Sequence, residues 1–226
     1  MENEKLNQLI VGIQKRKEFK LPDYSELPRI PLYMEQVISY IKETLGPVYT
    51  NQSNQIITHY MVNNYVKAKI IEPPKDKKYD VNHLGYLICI SLLKNSANLR
   101  NIAALIDMDK FFPGDEEALY SLFKEIQESE MKEEFEMVEK RLSYIKKKYE
   151  STVNEDEKEK GFYARLANLI LRLYVKSEVS KAIADSIMDS VVQEMLPSGV
   201  LKGNNEVEKR FEEQKMKEEA NKLKSR

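Results

Sequence analysis

With 226 residues, 42% of them hydrophobic, the chain can bury one large core or two small ones, and its composition excludes a wholly disordered polymer. Its 36 basic and 37 acidic side chains leave a net charge of -1, which excludes a polycation that coats nucleic acid without preference. One cysteine, two histidines and seven glycines exclude an intrachain disulfide and leave little from which to build a metal site or a phosphate-binding loop.

Residues 1–26 are expected to form an N-terminal helical extension, and Met1 to Lys5 lack the charged-then-apolar layout of a signal peptide. A head follows over 27–112. Its first helix is predicted from Tyr33 to Leu45, where Gly46-Pro47 stops it, and residues 46–56 make a long connection. The next helix is predicted from Thr58, whose hydroxyl can cap it, to Ala68, with Val62 and Tyr65 inward and Pro73-Pro74 preventing continuation beyond Ile70-Ile71. His59, Tyr60, Asn63, Asn64 and Lys67 are expected on its outer face, with no acid among them. Asparagine can pair with adenine in a major groove, and lysine and tyrosine can reach phosphate. An ordinary surface helix with its polar residues outward has the same pattern.

A short basic loop, Lys75 to Lys78, comes next, followed by Tyr79 and a helix over Val81 to Leu93 capped by Asp80. Cys89 lies in the most apolar run of the chain, as an inert core thiol would. Leu99 to Ile106 is predicted as another short helix with Leu99, Ile102 and Ile106 inward. From Ile57 to Arg100, seven basic residues (Lys67, Lys69, Lys75, Lys77, Lys78, Lys94 and Arg100) outnumber three acids (Glu72, Asp76 and Asp80).

The order of these pieces, a short helix, a double proline, a basic loop closed by an aromatic, an Asp-capped apolar helix and a further short helix, resembles the winged helix-turn-helix head of the MerR family. In that resemblance Thr58 to Ile71 is the recognition helix with its exit, Tyr79-Asp80 opens the third helix and Leu99 to Ile106 is the fourth. With Leu27-Pro-Arg-Ile-Pro-Leu-Tyr-Met-Glu-Gln-Val37 upstream and Met61-Val-Asn-Asn-Tyr-Val-Lys67 downstream, the chain also looks like a domain-of-unknown-function family of small MerR-like proteins from low-GC Gram-positive bacteria. It departs from the MerR pattern in four places: the extension before the head, the long 46–56 connection, Asn63 where that family has arginine, and a loop too short for a full wing.

Past Phe112-Pro113-Gly114, residues 115–202 are predicted as a helical region for dimerisation or bundling. Met131, Phe135, Val138, Leu142, Ile145 and Tyr149 alternate by four and three residues, the seam spacing of a coiled coil or helical hairpin. A polar loop is expected over Ser151 to Gly161, then a second helix from Phe162 to Leu196 with a broad apolar face of Phe162, Leu166, Leu169, Leu173, Val179, Ile183, Ile187, Val191 and Met195. Two arrangements stay open, an intramolecular bundle and a dimer held by these helices. Residues 203–226 form a charged tail.

The expected fold is therefore all-α with at most a minimal β wing, a MerR-like winged helix-turn-helix head followed by a long-helix hairpin. The expected function is DNA-binding transcriptional regulation by a cytoplasmic homodimer, with double-stranded DNA as partner and no membrane, cofactor, metal or catalysis involved. Its DNA-binding residues are Thr58, His59, Tyr60, Asn63, Asn64, Lys67, Lys77 and Lys78. The alternative is a non-enzymatic protein-interaction module on a degenerate helix-turn-helix fold.

Overall fold

The structure, a computed structural model, describes residues 2–48, 56–108 and 117–195. Among the described residues are seven helices: α1 (Glu2–Lys17), α2 (Met34–Leu45), α3 (His59–Lys67), α4 (Val81–Leu93), α5 (Leu99–Asp107), α6 (Ala118–Ser151) and α7 (Glu155–Met195). The strands β1 (Leu32–Tyr33) and β2 (Lys78–Tyr79) pair antiparallel, with Leu32 opposite Tyr79 and Tyr33 opposite Lys78. The fold is all-α with a minimal β element, and it has long C-terminal helices. The Phe112-Pro113-Gly114 boundary and the tail from 203 lie outside the described residues.

Two separate cores hold these elements. The first gathers Val37, Ile41 and Leu45 of α2, Val62 and Tyr65 of α3, Ile70 and Ile71, Leu84 to Ile90 of α4 and Ile102 of α5. It extends past both ends of the 27–112 segment, to Leu21 and Tyr24 before it and to Tyr120 in the first turn of α6. Tyr120 donates its hydroxyl proton to the Pro22 carbonyl at 2.9 Å. Its ring lies against Gly85, where a Cβ would sit 3.4 Å from Cδ2, so a small residue lets α6 reach α4 closely.

The second core takes up the Val138 to Tyr149 part of the predicted seam, without Met131 or Phe135. Val138, Leu142 and Ile145 of α6 meet Leu6 of α1 and Phe162 and Leu169 of α7, with Ile10, Ile13, Leu166 and Leu173 packed around them. Part of the seam's partner is thus α1, whose Leu6, Ile10 and Ile13 repeat the same four-and-three spacing. Lys17 Nζ to Glu139 Oε2 at 3.0 Å and Lys146 Nζ to Asn7 Oδ1 at 2.9 Å show α1 running antiparallel to α6.

One boundary differs from expectation. The polar loop is only Thr152–Asn154 and not Ser151–Gly161, because Asn154 accepts the Glu157 N–H at 3.1 Å and caps α7 seven residues before Gly161. Glu155, Asp156 and Glu157 then complement the positive end of the helix dipole, so the charge read as loop is helix start. Helix α3 ends where expected, with Ala68 as its C-cap ahead of the double proline. Lys69 takes a left-handed φ of 57°, Lys69 N–H reaches the Val66 carbonyl and Ile70 N–H reaches Tyr65, a Schellman closure.

Leu142→Ala and Leu6→Ala are each expected to lower stability by about 2–5 kcal/mol in urea denaturation, since each empties the same core. A loss below about 0.5 kcal/mol for either would mean that α1, α6 and α7 do not share it.

Candidate nucleic-acid interface

Helix α3 stands in place because its two ends and its back are fixed. Thr58 Oγ1 accepts the Met61 N–H at 3.2 Å, so this predicted site residue spends its hydroxyl as the cap. Ile56 and Ile57 are buried just ahead of it. Lys94, the C-cap of α4, donates to the Ile56 carbonyl at 2.7 Å, and burial pulls its pKa below the ordinary lysine value. Lys94 therefore anchors the entry to α3, and the basic surplus of this region is smaller on the surface than in the sequence. On the back, burial pushes the Tyr65 hydroxyl pKa up to about 12, so it stays protonated among its apolar neighbours.

The exposed face holds His59, Tyr60, Asn63 and Lys67. Asn64 does not belong to it. It is 5% exposed and lies with Val62 and Tyr65 among the buried residues of α3, about 100° around the helix from Asn63. The face is also not free of acid: Glu35, in the first turn of α2, brings Oε1 to 3.4 Å from His59 Nε2. Sequence order could not show this contact, because Glu35 arrives from a different helix.

The expected wing is a single tight turn. Asp76 and Lys77 have φ of 51° and 63°, and Lys78 N–H donates to the Lys75 carbonyl at 2.9 Å, the pattern of a two-residue hairpin turn. Lys77 sits exposed at its tip, whereas Lys78 is half-buried with its ammonium 5.1 Å from the Tyr33 ring centroid. Because β2 pairs with β1, and β1 runs directly into α2, the turn, the α2 N-terminus and the start of α3 lie on one side of the head. Tyr33 and Tyr60, each 51% exposed, are the large rings there.

His83 locks the exit from α3 to α4. Its Nε2–H donates to the Glu72 carbonyl at 3.0 Å, its Nδ1 lies 2.6 Å from Asp80 Oδ1, and Tyr79 packs edge-on at 5.3 Å. Nothing in the sequence around His83 marked it as more than a core histidine. Burial opposes ionisation of Asp80, but hydrogen bonds from the His83 backbone, the His83 ring and the Asn82 backbone outweigh it and hold the carboxyl below its ordinary value of 3.8. Among the described residues no group of three His, Cys, Asp or Glu side chains is placed to hold a metal, and no helix is long and apolar enough to cross a membrane.

A carboxyl whose pKa is lowered on folding stabilises the fold above the unfolded value and loses that contribution as pH falls through the folded one. Asp80→Asn keeps a capping oxygen but removes the charge, so it should flatten the acid limb of the stability profile as pH falls through and below the ordinary carboxyl value of 3.8. Identical acid limbs for both proteins would show that the cap does not depend on ionisation.

The matched segment of the chain follows the first core. No curated protein and no solved structure matches it. Residues 22–126, from the proline that Tyr120 binds to the second turn of α6 beyond it, match the model of the family described as a domain of unknown function (DUF1836).

Proposed function

We propose that the chain is a non-catalytic, MerR-like DNA-binding regulator of the cytoplasm that works as a homodimer and presents the exposed face of α3 to a major groove. The observation that carries this is the placement of His59, Tyr60, Asn63 and Lys67 together on the open side of a capped helix whose other side is buried. Asn63 is the base-reading asparagine, since asparagine pairs bidentately with adenine. Lys67 and the hairpin lysine Lys77 contact phosphate, and Lys78 adds charge from above Tyr33. Asn64 is a packing residue and Thr58 a cap.

The charge supply sets the strength. Four exposed lysines, Lys67, Lys69, Lys75 and Lys77, lie near this face, and Glu35 offsets part of their field. If all four met phosphate, log K would fall with log salt at a slope of about -3.6 per head. So few contacts give one head little affinity, which supports a regulator that engages two half-sites at once.

Selection of bound fragments from random-sequence DNA followed by gel retardation tests this directly. Asn63→Ala should weaken the preferred site by about 1–3 kcal/mol and leave random DNA nearly untouched. Lys77→Ala should weaken every sequence alike and reduce the salt slope by about 0.9. Absence of retardation of any DNA at low salt would replace this function by that of a protein-interaction module.

A further inference from the structure

The antiparallel pair α6 and α7 has two sides, and α1 covers one of them. There the rim is paired across the helices, Lys17 with Glu139 and Lys146 with Asn7. The other side is open. On it α7 presents Gly161, Arg165, Asn168, Arg172, Val175 and Val179, which alternate by four and three residues. At about 100° per residue Gly161 and Val179 are five full turns apart and share one azimuth, with the residues between them within about 40° of it. Met137, Arg141 and Tyr144 of α6 have the same spacing and lie on the far side of that helix from Glu139 and Lys146. Between the two lines lie hollows of about 560 and 390 Å³ that share Arg141 and Asn168. Together they make one groove, about 27 Å long from Gly161 to Val179.

Floor and rim differ in chemistry. Leu171, Val175 and Val179 are each 52–63% exposed and give the groove an apolar surface. The rim is cationic. Arg141 Nε donates to Met137 Sδ at 3.1 Å, and Arg172 Nε donates to Asn168 Oδ1 at 2.9 Å. Arg165 lies over the bare backbone of Gly161, where a Cβ would come within 2.6 Å of its Nη1. A thioether and an amide are neutral acceptors, so these contacts orient the guanidinium groups without neutralising them. Among the described residues no carboxylate pairs with any of the three arginines, and no acidic side chain lines either hollow. Lys176, at the Val179 end, is already paired with Glu134 and adds no free charge.

We propose that this groove docks an acidic amphipathic helix of a partner protein. Its apolar stripe covers Leu171, Val175 and Val179, and Asp or Glu side chains beside the stripe pair with Arg141, Arg165 and Arg172, whose planar donors suit carboxylates. The chain holds a helix in the same manner on the other side of α6 and α7, where Leu6, Ile10 and Ile13 of α1 supply the stripe and Lys17 to Glu139 the rim pair. Charge and floor together select the occupant. A phosphate backbone would satisfy the arginines but leave the apolar floor in water. A second copy set groove to groove about a two-fold axis would lay arginine near arginine. The docking stands whether or not α3 binds DNA.

The full chain is titrated into a fluorescein-labelled designed helix of about five turns, with leucines at four-and-three spacing and glutamates on both flanks, and binding is read by anisotropy. Two further peptides serve as controls, one with every glutamate replaced by lysine and one of the same composition with the stripe scrambled. The acidic amphipathic peptide should bind at least tenfold more tightly than either. The double variant Arg165→Glu, Arg172→Glu, checked for native helicity, should lose at least tenfold for the acidic peptide and gain affinity for the lysine peptide. A misfolded protein could not produce that gain. No binding of the acidic peptide, or equal binding of the acidic and lysine peptides, would overturn the proposal. Displacement of the acidic peptide by a random-sequence DNA duplex would overturn it in favour of a phosphate site. A wild-type dimer that ignores the peptide and that the double variant converts to monomer in sedimentation would assign the groove to a second copy and overturn it too. A chain that takes the acidic peptide and retards no DNA would refute only the DNA function.

Discussion

Tyr120 ties the head of this molecule to its long C-terminal helices. Tyr120 stands in the first turn of α6, yet its ring belongs to the core of the head, 6.0 Å from Tyr24 and against Gly85 of α4. Its hydroxyl ends on the Pro22 carbonyl, and burial above all holds that hydroxyl protonated far above its ordinary range. A buried hydroxyl without this acceptor would cost about 1–3 kcal/mol, so the segment around Pro22 and the start of α6 are fixed together. Because α6 is one continuous helix, what Tyr120 fixes at its first turn is carried to Val138, Leu142 and Ile145, where α1 and α7 pack. α1 and α7 are therefore both packed on the element that Tyr120 fixes to the head, and Asn101 to Asp185 ties α7 to α5 directly.

That continuity determines what the exposed surfaces can do. The front of the head displays α3 and the Lys75 to Lys78 turn, with the back of α3 fixed by Val62, Asn64 and Tyr65. The exposed side chains of Val179, Ile183 and Ile187 lie on a separate helix, α7, tied to the head through α5. In a paired molecule the separation of two α3 faces would follow from packed helices and not from a linker. Modest charge is compatible with such an arrangement, because a pair of weak sites held at fixed spacing gains by effective concentration what each lacks in contacts.

Much of the fold was legible because its signals are local. Apolar spacing gave α4, α5 and the α6 seam, and the predicted caps Thr58 and Asp80 sit where short polar side chains meet apolar runs. What was missed is non-local or competitive. Asn64 was read outward from residue type, but the helix turns it in beside Tyr65. Glu35 reaches His59 only through tertiary packing. The early start of α7 came from a cap at Asn154 that outweighed the loop propensity of a charged, glycine-ended stretch, and α1 was visible as an extension but not as the partner of α6. The α7 face split in two: Phe162 to Leu173 packs inside the chain, Val179 to Ile187 stays open, and the side chains of Val191 and Met195 lie outside the described residues.

The central claim, that the exposed side of α3 and the adjoining hairpin turn form the binding surface, is tested most directly by mapping amide chemical shifts of the isotope-labelled chain during titration with a selected DNA duplex. The account predicts that the changes concentrate at His59, Tyr60, Asn63, Lys67 and Lys75 to Lys78, with Leu142 and Ile145 unmoved. Changes centred on α1 or the middle of α6, with α3 silent, would contradict it.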